Sequence, residues 1–164
     1  MPAFSGINHV AFSVTDLDVS ERFYTDVLGF LTVLDTGPAR VCMDTGTGFT
    51  IALIKQPQGR SGGFDAANTG LDHLGLAADS REELVEWQQR FEELGVQHSP
   101  IQDMPLGHHL NFRDPDGIAL ELQAPSEMYA AALDRMRTQR LSKEEVLAAA
   151  EQMLGSEMVA RGRG

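Results

Sequence analysis

Two histidines and one glutamate have the residue types of a metal-binding set. His9 and His73 each stand third in a similar strand-like motif, residues 7–13 and 71–77. Glu121 is charged within the otherwise apolar run 118–122, and charged residues are rarely buried unless they are paired or bind metal. Two imidazoles and one carboxylate suit a divalent first-row metal ion with open positions for a substrate. These residues predict a metal site, although Glu121 on the solvent face of an edge strand is the simpler alternative.

The elements that position these residues form an internal repeat. Residues 5–57 and 70–125 each have the pattern of a βαβββ module, and residues 58–69 form a linker. In both first strands, the histidine shares its face with small residues, which leaves room for a cavity. If the modules pair edge to edge about a pseudo-two-fold axis, His9, His73 and Glu121 converge. The predicted fold class is therefore α+β, with two paired modules forming a U-shaped mixed sheet around a metal cavity.

Periodicity and capping residues predict the individual elements. The first module is expected to hold a strand, a helix that begins after Asp16 and ends at Leu28, and three further strands; the predicted strands cover residues 7–14, 30–34, 39–44 and 49–55. In the second module a helix over 81–94 ends at Gly95, and the later strands cover residues 96–103, 108–112 and 117–123. The Asp-Pro-Asp-Gly sequence at residues 114–117 predicts a tight turn between the last two strands.

Residues 126–164 are predicted to form a C-terminal helical extension. Helices are expected over about 126–139 and 143–154, and Ser142 with Glu145 forms a capping box for the second. The last residues, 155–164, are expected to be loose. The extension either packs on its own core or covers a partner subunit or the mouth of a pocket, and both interpretations stay open.

Composition and charge argue against several function classes. No apolar run approaches the roughly 18 residues of a membrane span, and the first six residues lack a signal-peptide pattern, so we expect a cytoplasmic protein without a membrane partner. The single cysteine, Cys42, lies in a strand-like run and is expected to be a small core residue rather than a catalytic thiol. The net charge of −11 argues against nucleic-acid binding and is compatible with cationic small molecules.

Together these motifs resemble the vicinal oxygen chelate superfamily, the group of glyoxalases, bleomycin resistance proteins and extradiol dioxygenases. The resemblance covers residues 5–125 and rests on the two histidine strands, residues 23–30, and residues 112–117 followed by Glu121. It implies paired βαβββ modules around a metal cavity, commonly in a homodimer. It also implies one divalent metal ion (Fe, Mn, Zn, Ni or Co) on His9, His73 and Glu121.

Departures from the family's motifs leave the reaction open. Leu53 aligns with Glu121 in the first module, where glyoxalase I and methylmalonyl-CoA epimerase relatives usually have a further metal ligand. Asn111 stands where extradiol dioxygenases and fosfomycin-modifying relatives usually have tyrosine. The dioxygenase histidine expected around residues 102–104 is also absent from the sequence. Lyase, isomerase and dioxygenase chemistry therefore all remain candidates.

His109 and Asn111 are the candidate catalytic residues. Strand alternation puts both on one face and His108 on the other, and analogy with the family makes the His109 face the wall of the cavity. Histidine changes charge near neutral pH and is a natural general acid–base beside a chelated substrate. Asn111 is a candidate hydrogen-bond donor to a chelated oxygen. The alternative is that His109 only forms a hydrogen bond within the sheet.

The leading hypothesis is a metal-dependent enzyme that chelates two vicinal oxygens of a small substrate and stabilises an enolate or oxyanion intermediate. The alternative is a non-catalytic protein that binds a drug or metabolite, as bleomycin resistance relatives do. Those relatives typically lack an intact metal triad, and the presence of His9, His73 and Glu121 therefore favours the enzyme.

Overall fold

The computed structural model of the chain describes residues 6–57, 62–139 and 141–161. The first module contains β1 (His9–Ser13), α1 (Leu17–Arg22) with a π-helical continuation (Phe23–Val27), β2 (Leu31–Asp35), β3 (Ala39–Met43) and β4 (Thr50–Ile54). The second contains β5 (Leu74–Ala77), α2 (Arg81–Leu94), β6 (Gln102–Met104), β7 (Gly107–Arg113) and β8 (Ala119–Pro125). Three helices follow: α3 (Glu127–Thr138), α4 (Lys143–Leu154) and α5 (Ser156–Arg161).

Each module contributes one four-stranded mixed sheet. The strand orders are β1-β4-β3-β2 and β5-β8-β7-β6. In both sheets the first strand runs parallel to the fourth, and the other neighbours are antiparallel. The identical topologies confirm the internal repeat and the predicted α+β class, with the hydrogen-bonded strands divided into two sheets.

Local capping explains where the two module helices begin and end. The Asp16 carboxylate accepts hydrogen bonds from the backbone N–H groups of Asp18 and Val19 at the start of α1. The helix α2 has the predicted bounds, because Ser80 caps its first turn and Gly95 takes a left-handed conformation (φ 67°) after its end. The first helix changes to π-helical hydrogen bonding at Phe23, which was not predicted, and both Phe23 and Tyr24 are buried there.

Aromatic side chains join the two modules in one hydrophobic core. The Phe23 ring stacks on Phe112 of β7 with 6.5 Å between ring centroids, and Phe91 of α2 lies 4.7 Å from the same Phe112 ring. Cys42 is fully buried in this core, and burial raises the pKa of its thiol, which fits the predicted packing role. Over the described part of the chain, no helix has the length and apolar character needed to span a membrane.

Two carboxylates in the turn between β7 and β8 bind the first module. Asp114 is buried and accepts hydrogen bonds from the Tyr24 hydroxyl (3.1 Å) and the Ile118 N–H (2.8 Å). Asp116 accepts hydrogen bonds from the Thr15 N–H (3.1 Å) and hydroxyl (2.5 Å) and from the Ser20 hydroxyl (3.5 Å). Burial raises the pKa of Asp114. The turn of one module is therefore fastened to the beginning of α1 in the other.

Two local predictions are wrong. The strand predicted over 96–103 is limited to β6, and only an isolated bridge from His98 to Phe112 precedes it; Pro100 in this segment has no N–H to donate to a ladder. The chain end was expected to be loose from residue 155, yet residues 156–161 form α5. The capping box of Ser142 and Glu145 is confirmed. Residues 58–61 of the predicted linker and residues 162–164 lie outside the described residues.

We expect Asp116→Ala to destabilise the fold, because it removes the acceptor that joins the modules. Loss of hydrogen bonds to a charged group costs roughly 1.5–3 kcal/mol, measured as a lower free energy of unfolding in urea. Asp134→Ala, at an exposed position of α3, is the control and should change that free energy by less than about 0.5 kcal/mol. Equal changes in the two variants would contradict the role assigned to Asp116.

Candidate functional site

Glu121 and His73 lie on adjacent strands of the second sheet. His73 directly precedes β5, and Gly75 pairs with Glu121 in the parallel β5–β8 ladder. Since side chains alternate along a strand, His73, Gly75 and Glu121 face the same side. A Cβ atom at Gly75 would lie 3.8 Å from Glu121 Oε1. The missing side chain at Gly75 therefore leaves space in front of the carboxylate.

The structure brings His109 and Asn111 to Glu121. His109 Nδ1 lies 2.9 Å from Glu121 Oε2, and their side chains are only 20% and 13% exposed. Asn111 stands directly opposite Glu121 in the antiparallel β7–β8 ladder. Directly opposed side chains have Cβ atoms about 4.5–5.5 Å apart. The alternation of the two strands predicts the face of each residue, but the pairing of His109 with Glu121 depends on the register.

Each predicted histidine ligand has an oxygen partner in the residue before it. His9 Nδ1 lies 2.8 Å from Asn8 Oδ1, and His73 Nδ1 lies 2.6 Å from Asp72 Oδ1. A carboxylate only accepts, so Nδ1 of His73 is the donor, and in the neutral ring Nε2 has a free lone pair. Metal-binding histidines are commonly oriented by such a contact. Sequence reasoning missed Asn8 and Asp72, although their equivalent positions in the repeat are the signal that identifies them.

The three predicted ligands do not form one cluster in the described chain. Among residues 6–57, 62–139 and 141–161, no group of three His, Cys, Asp or Glu side chains is placed to hold a metal ion. His9 begins β1 in the first sheet, whereas His73 and Glu121 belong to the second. The donor types still fit a divalent ion, with two imidazoles whose Nδ1 atoms are already bonded and one half-buried carboxylate.

The other two histidines of the second module have partners away from Glu121. His108 faces the opposite side of β7, and its Nδ1 lies 2.6 Å from Asp103 Oδ1. Hydrogen bonds from His108 and Arg81 lower the pKa of Asp103. His98 Nδ1 lies 2.8 Å from the Ser99 carbonyl oxygen. Neither ring therefore belongs to the candidate site.

A cavity of about 580 Å³ opens along the carboxyl end of β1. Ala11 and Ser13, which alternate with His9, lie in its wall together with Phe64, Leu71 and Lys55. Phe12 and Val14 of the opposite face of β1 also line this space, whereas His9, His73 and Glu121 are not among its lining residues. The volume is within the range of about 300–1,000 Å³ that is usual for small-molecule sites.

The chain is similar to one protein family and to several solved structures of that family. Residues 6–122 match the model of the Glyoxalase/Bleomycin resistance protein/Dioxygenase superfamily. A crystal structure of a glyoxylase/bleomycin resistance protein/dioxygenase domain from Frankia sp. EAN1pec is 35% identical with a TM-score of 0.70, over 76% of this chain and 95% of that one. Lactoylglutathione lyase from Agrobacterium tumefaciens is 27% identical with a TM-score of 0.60, over 75% and 96%.

A relative of a different reaction class also matches by sequence. The putative ring-cleaving dioxygenase MhqA of Bacillus subtilis (strain 168) is 30% identical over 132 residues. The match includes 75% of this chain but only 41% of the dioxygenase. The similar proteins thus include both a lyase and a protein named as a dioxygenase.

Proposed function

Since the chain belongs to the glyoxalase/bleomycin resistance protein/dioxygenase superfamily, we propose that it is a metal-dependent enzyme acting on a small substrate with two vicinal oxygens. The observation that carries this proposal is the half-buried Glu121 carboxylate, which His109 contacts at 2.9 Å on the same face as His73. A buried carboxylate with one imidazole partner and open space beside it suits a metal ligand better than a surface charge.

The proposed ligands of the divalent ion are His9, His73 and Glu121. Asn8 and Asp72 hold the Nδ1 atoms of the two histidines, which leaves Nε2 of each for the ion. The His109 contact is to Oε2 of Glu121, and Oε1 faces the space at Gly75. When bound, Fe, Mn, Zn, Ni or Co would supply Lewis acidity toward two substrate oxygens. We expect the assembled enzyme to be a homodimer.

His109 and Asn111 are the proposed catalytic side chains. His109 keeps Nδ1 at Glu121 and uses Nε2 to take up and return a proton of the substrate, because imidazole changes charge near neutral pH. Asn111, opposite Glu121 in register, donates from its side-chain amide to a substrate oxygen that gains negative charge. The strands β7 and β8 therefore carry the proposed acid–base, the hydrogen-bond donor and one ligand side by side.

The proposed reaction class is a lyase, isomerase or extradiol-type dioxygenase. All three require two chelated oxygens and a nearby group that moves a proton. A two-histidine, one-carboxylate set with open positions also permits dioxygen chemistry when the ion is Fe(II). The similarity to a lactoylglutathione lyase and to a putative ring-cleaving dioxygenase supports this range of reactions.

Removal of a proposed ligand is expected to abolish metal binding. His73→Ala and Glu121→Ala should each weaken Co²⁺ or Zn²⁺ binding at least about 100-fold in calorimetric titrations, and Asp72→Ala about 10- to 100-fold through loss of ring orientation. His108→Ala is the matched control, since it removes a histidine–carboxylate pair on the opposite face. Unchanged metal affinity in His73→Ala and Glu121→Ala, with small molecules still bound, would favour the non-catalytic alternative.

Substitution of the proposed acid–base is expected to affect turnover and not metal content. His109→Gln should lower kcat by roughly 100-fold or more while the metal stoichiometry, measured by mass spectrometry, stays that of the unmodified protein. Metal-loaded protein would be assayed with the hemithioacetal of methylglyoxal and glutathione, and with catechol by oxygen uptake. A His109→Gln variant with full turnover would remove His109 from the mechanism, and His108→Gln controls for loss of any histidine from β7.

A further inference from the structure

A second cavity, of about 440 Å³, lies between the two modules. Its wall in the second module includes Leu74, Gly75, Leu76 and Ala77 of β5 with Leu122 of β8. The cavity thus runs along β5, and residues of both faces of that strand border it. None of the proposed metal ligands is among its lining residues.

The wall of this cavity is mostly apolar and partly aromatic. Phe30 and Phe49 line it from the first module, and Trp87 of α2 lines it from the second. The Trp87 ring is fixed on two sides, because its Nε1–H donates a hydrogen bond to Glu83 Oε1 (3.3 Å) and its centroid lies 5.7 Å from Phe91. A flat aromatic wall held in place before a ligand arrives lowers the ordering cost of binding.

The internal repeat shows how this crevice differs from the corresponding one, which is lined by Thr15 and Asp116 and contains the cavity of about 580 Å³. The turn after β3 corresponds to the turn after β7, since Asp44 and Asp114 each accept a hydrogen bond from the N–H two residues later, at Gly46 and Asp116. Asp116 reaches across to the N–H of Thr15. Gly46 has no side chain with which to make the equivalent contact, and the crevice beside it therefore lacks that polar clamp.

The backbone N–H that would complete such a clamp in the second module already donates a hydrogen bond within that module. The N–H of Asp79, which corresponds to that of Thr15, donates to Glu83 Oε2 at 2.6 Å. Asp44 and Glu83, one on each wall, therefore both accept hydrogen bonds from residues of their own module.

The charges at the cavity are negative. Asp44 and Glu83 are the only acidic or basic side chains among its lining residues. Hydrogen bonds from Thr47 and Gly46 lower the pKa of Asp44, so it is an anion at neutral pH. The whole chain carries a net charge of −11, which further favours a cationic ligand.

We propose that this cavity is a binding site for a small aryl-alkyl ammonium ion. The aromatic body packs against Phe30, Phe49 and Trp87, and the ammonium group lies at Asp44 and Glu83. Cations also bind favourably over the face of tryptophan, and the cavity volume suits a compact ligand. The proposal does not rest on the proposed function, because no metal ligand or catalytic residue lines this cavity.

Trp87 is the only tryptophan of the chain, so its fluorescence reports directly on this cavity. The full-length protein would be titrated with 4-phenylbutylammonium, with calorimetry as a second readout. We expect saturable binding, at least roughly tenfold tighter than that of 4-phenylbutanoate, which has the same aromatic body and the opposite charge. Glu83→Gln should weaken binding of the ammonium ion about threefold more than it changes binding of the neutral 4-phenylbutanol.

Glu82→Gln is the matched control, because Glu82 precedes Glu83 on the first turn of α2 and does not line the cavity. It should leave both affinities unchanged, and thermal melts would establish that both variants are folded. Equal affinity for the ammonium and the carboxylate, equal losses in the two variants, or no saturable change at Trp87 would each overturn the proposal. A cavity covered by a second copy of the chain would give that last result.

Discussion

The turn between β7 and β8 holds a carboxylate away from water, and the rest of the site depends on it. Asp114 is buried, and a buried carboxylate must be satisfied by hydrogen bonds. Tyr24 of the first module and Ile118 of the turn supply them. These bonds fix the turn, the turn fixes the register of β7 on β8, and the register places Asn111 opposite Glu121 and His109 within 2.9 Å of it.

The two modules share one topology but use it differently. In one crevice between them, Asp116 fastens a turn to the beginning of α1. In the corresponding crevice, Gly46 stands in place of that carboxylate, and an aromatic cavity lies beside Trp87. The asymmetry extends to the sheets, since Ala52 pairs with Ala11 as Glu121 pairs with Gly75. The predicted alignment of Leu53 with Glu121 is therefore wrong by one residue, and Leu53 is a buried core residue. A duplicated fold thus carries the proposed catalytic pair on only one of its two sheets.

Much of the fold follows from local sequence signals. The bounds of α2 are determined by Ser80 and Gly95, and the repeat is visible in the two histidine motifs. The pairing of His109 with Glu121 is not predictable in this way, because it depends on the register of two strands rather than on either strand alone. The strand expected over 96–103 is interrupted for a different reason: residues 97–99 and 102–103 both pair with β7, but Pro100 between them has no N–H to donate.

The central claim is that two histidines and Glu121 hold a divalent ion. X-ray absorption spectroscopy of the metal-loaded protein tests this claim most directly. With Zn²⁺ or Ni²⁺ bound stoichiometrically, the account predicts a first shell of nitrogen and oxygen donors, at about 2.0–2.2 Å for zinc, with the outer-shell scattering of two imidazole rings. A shell of oxygen donors without imidazole scattering would contradict it. So would two imidazoles that persist in the spectrum after His73→Ala.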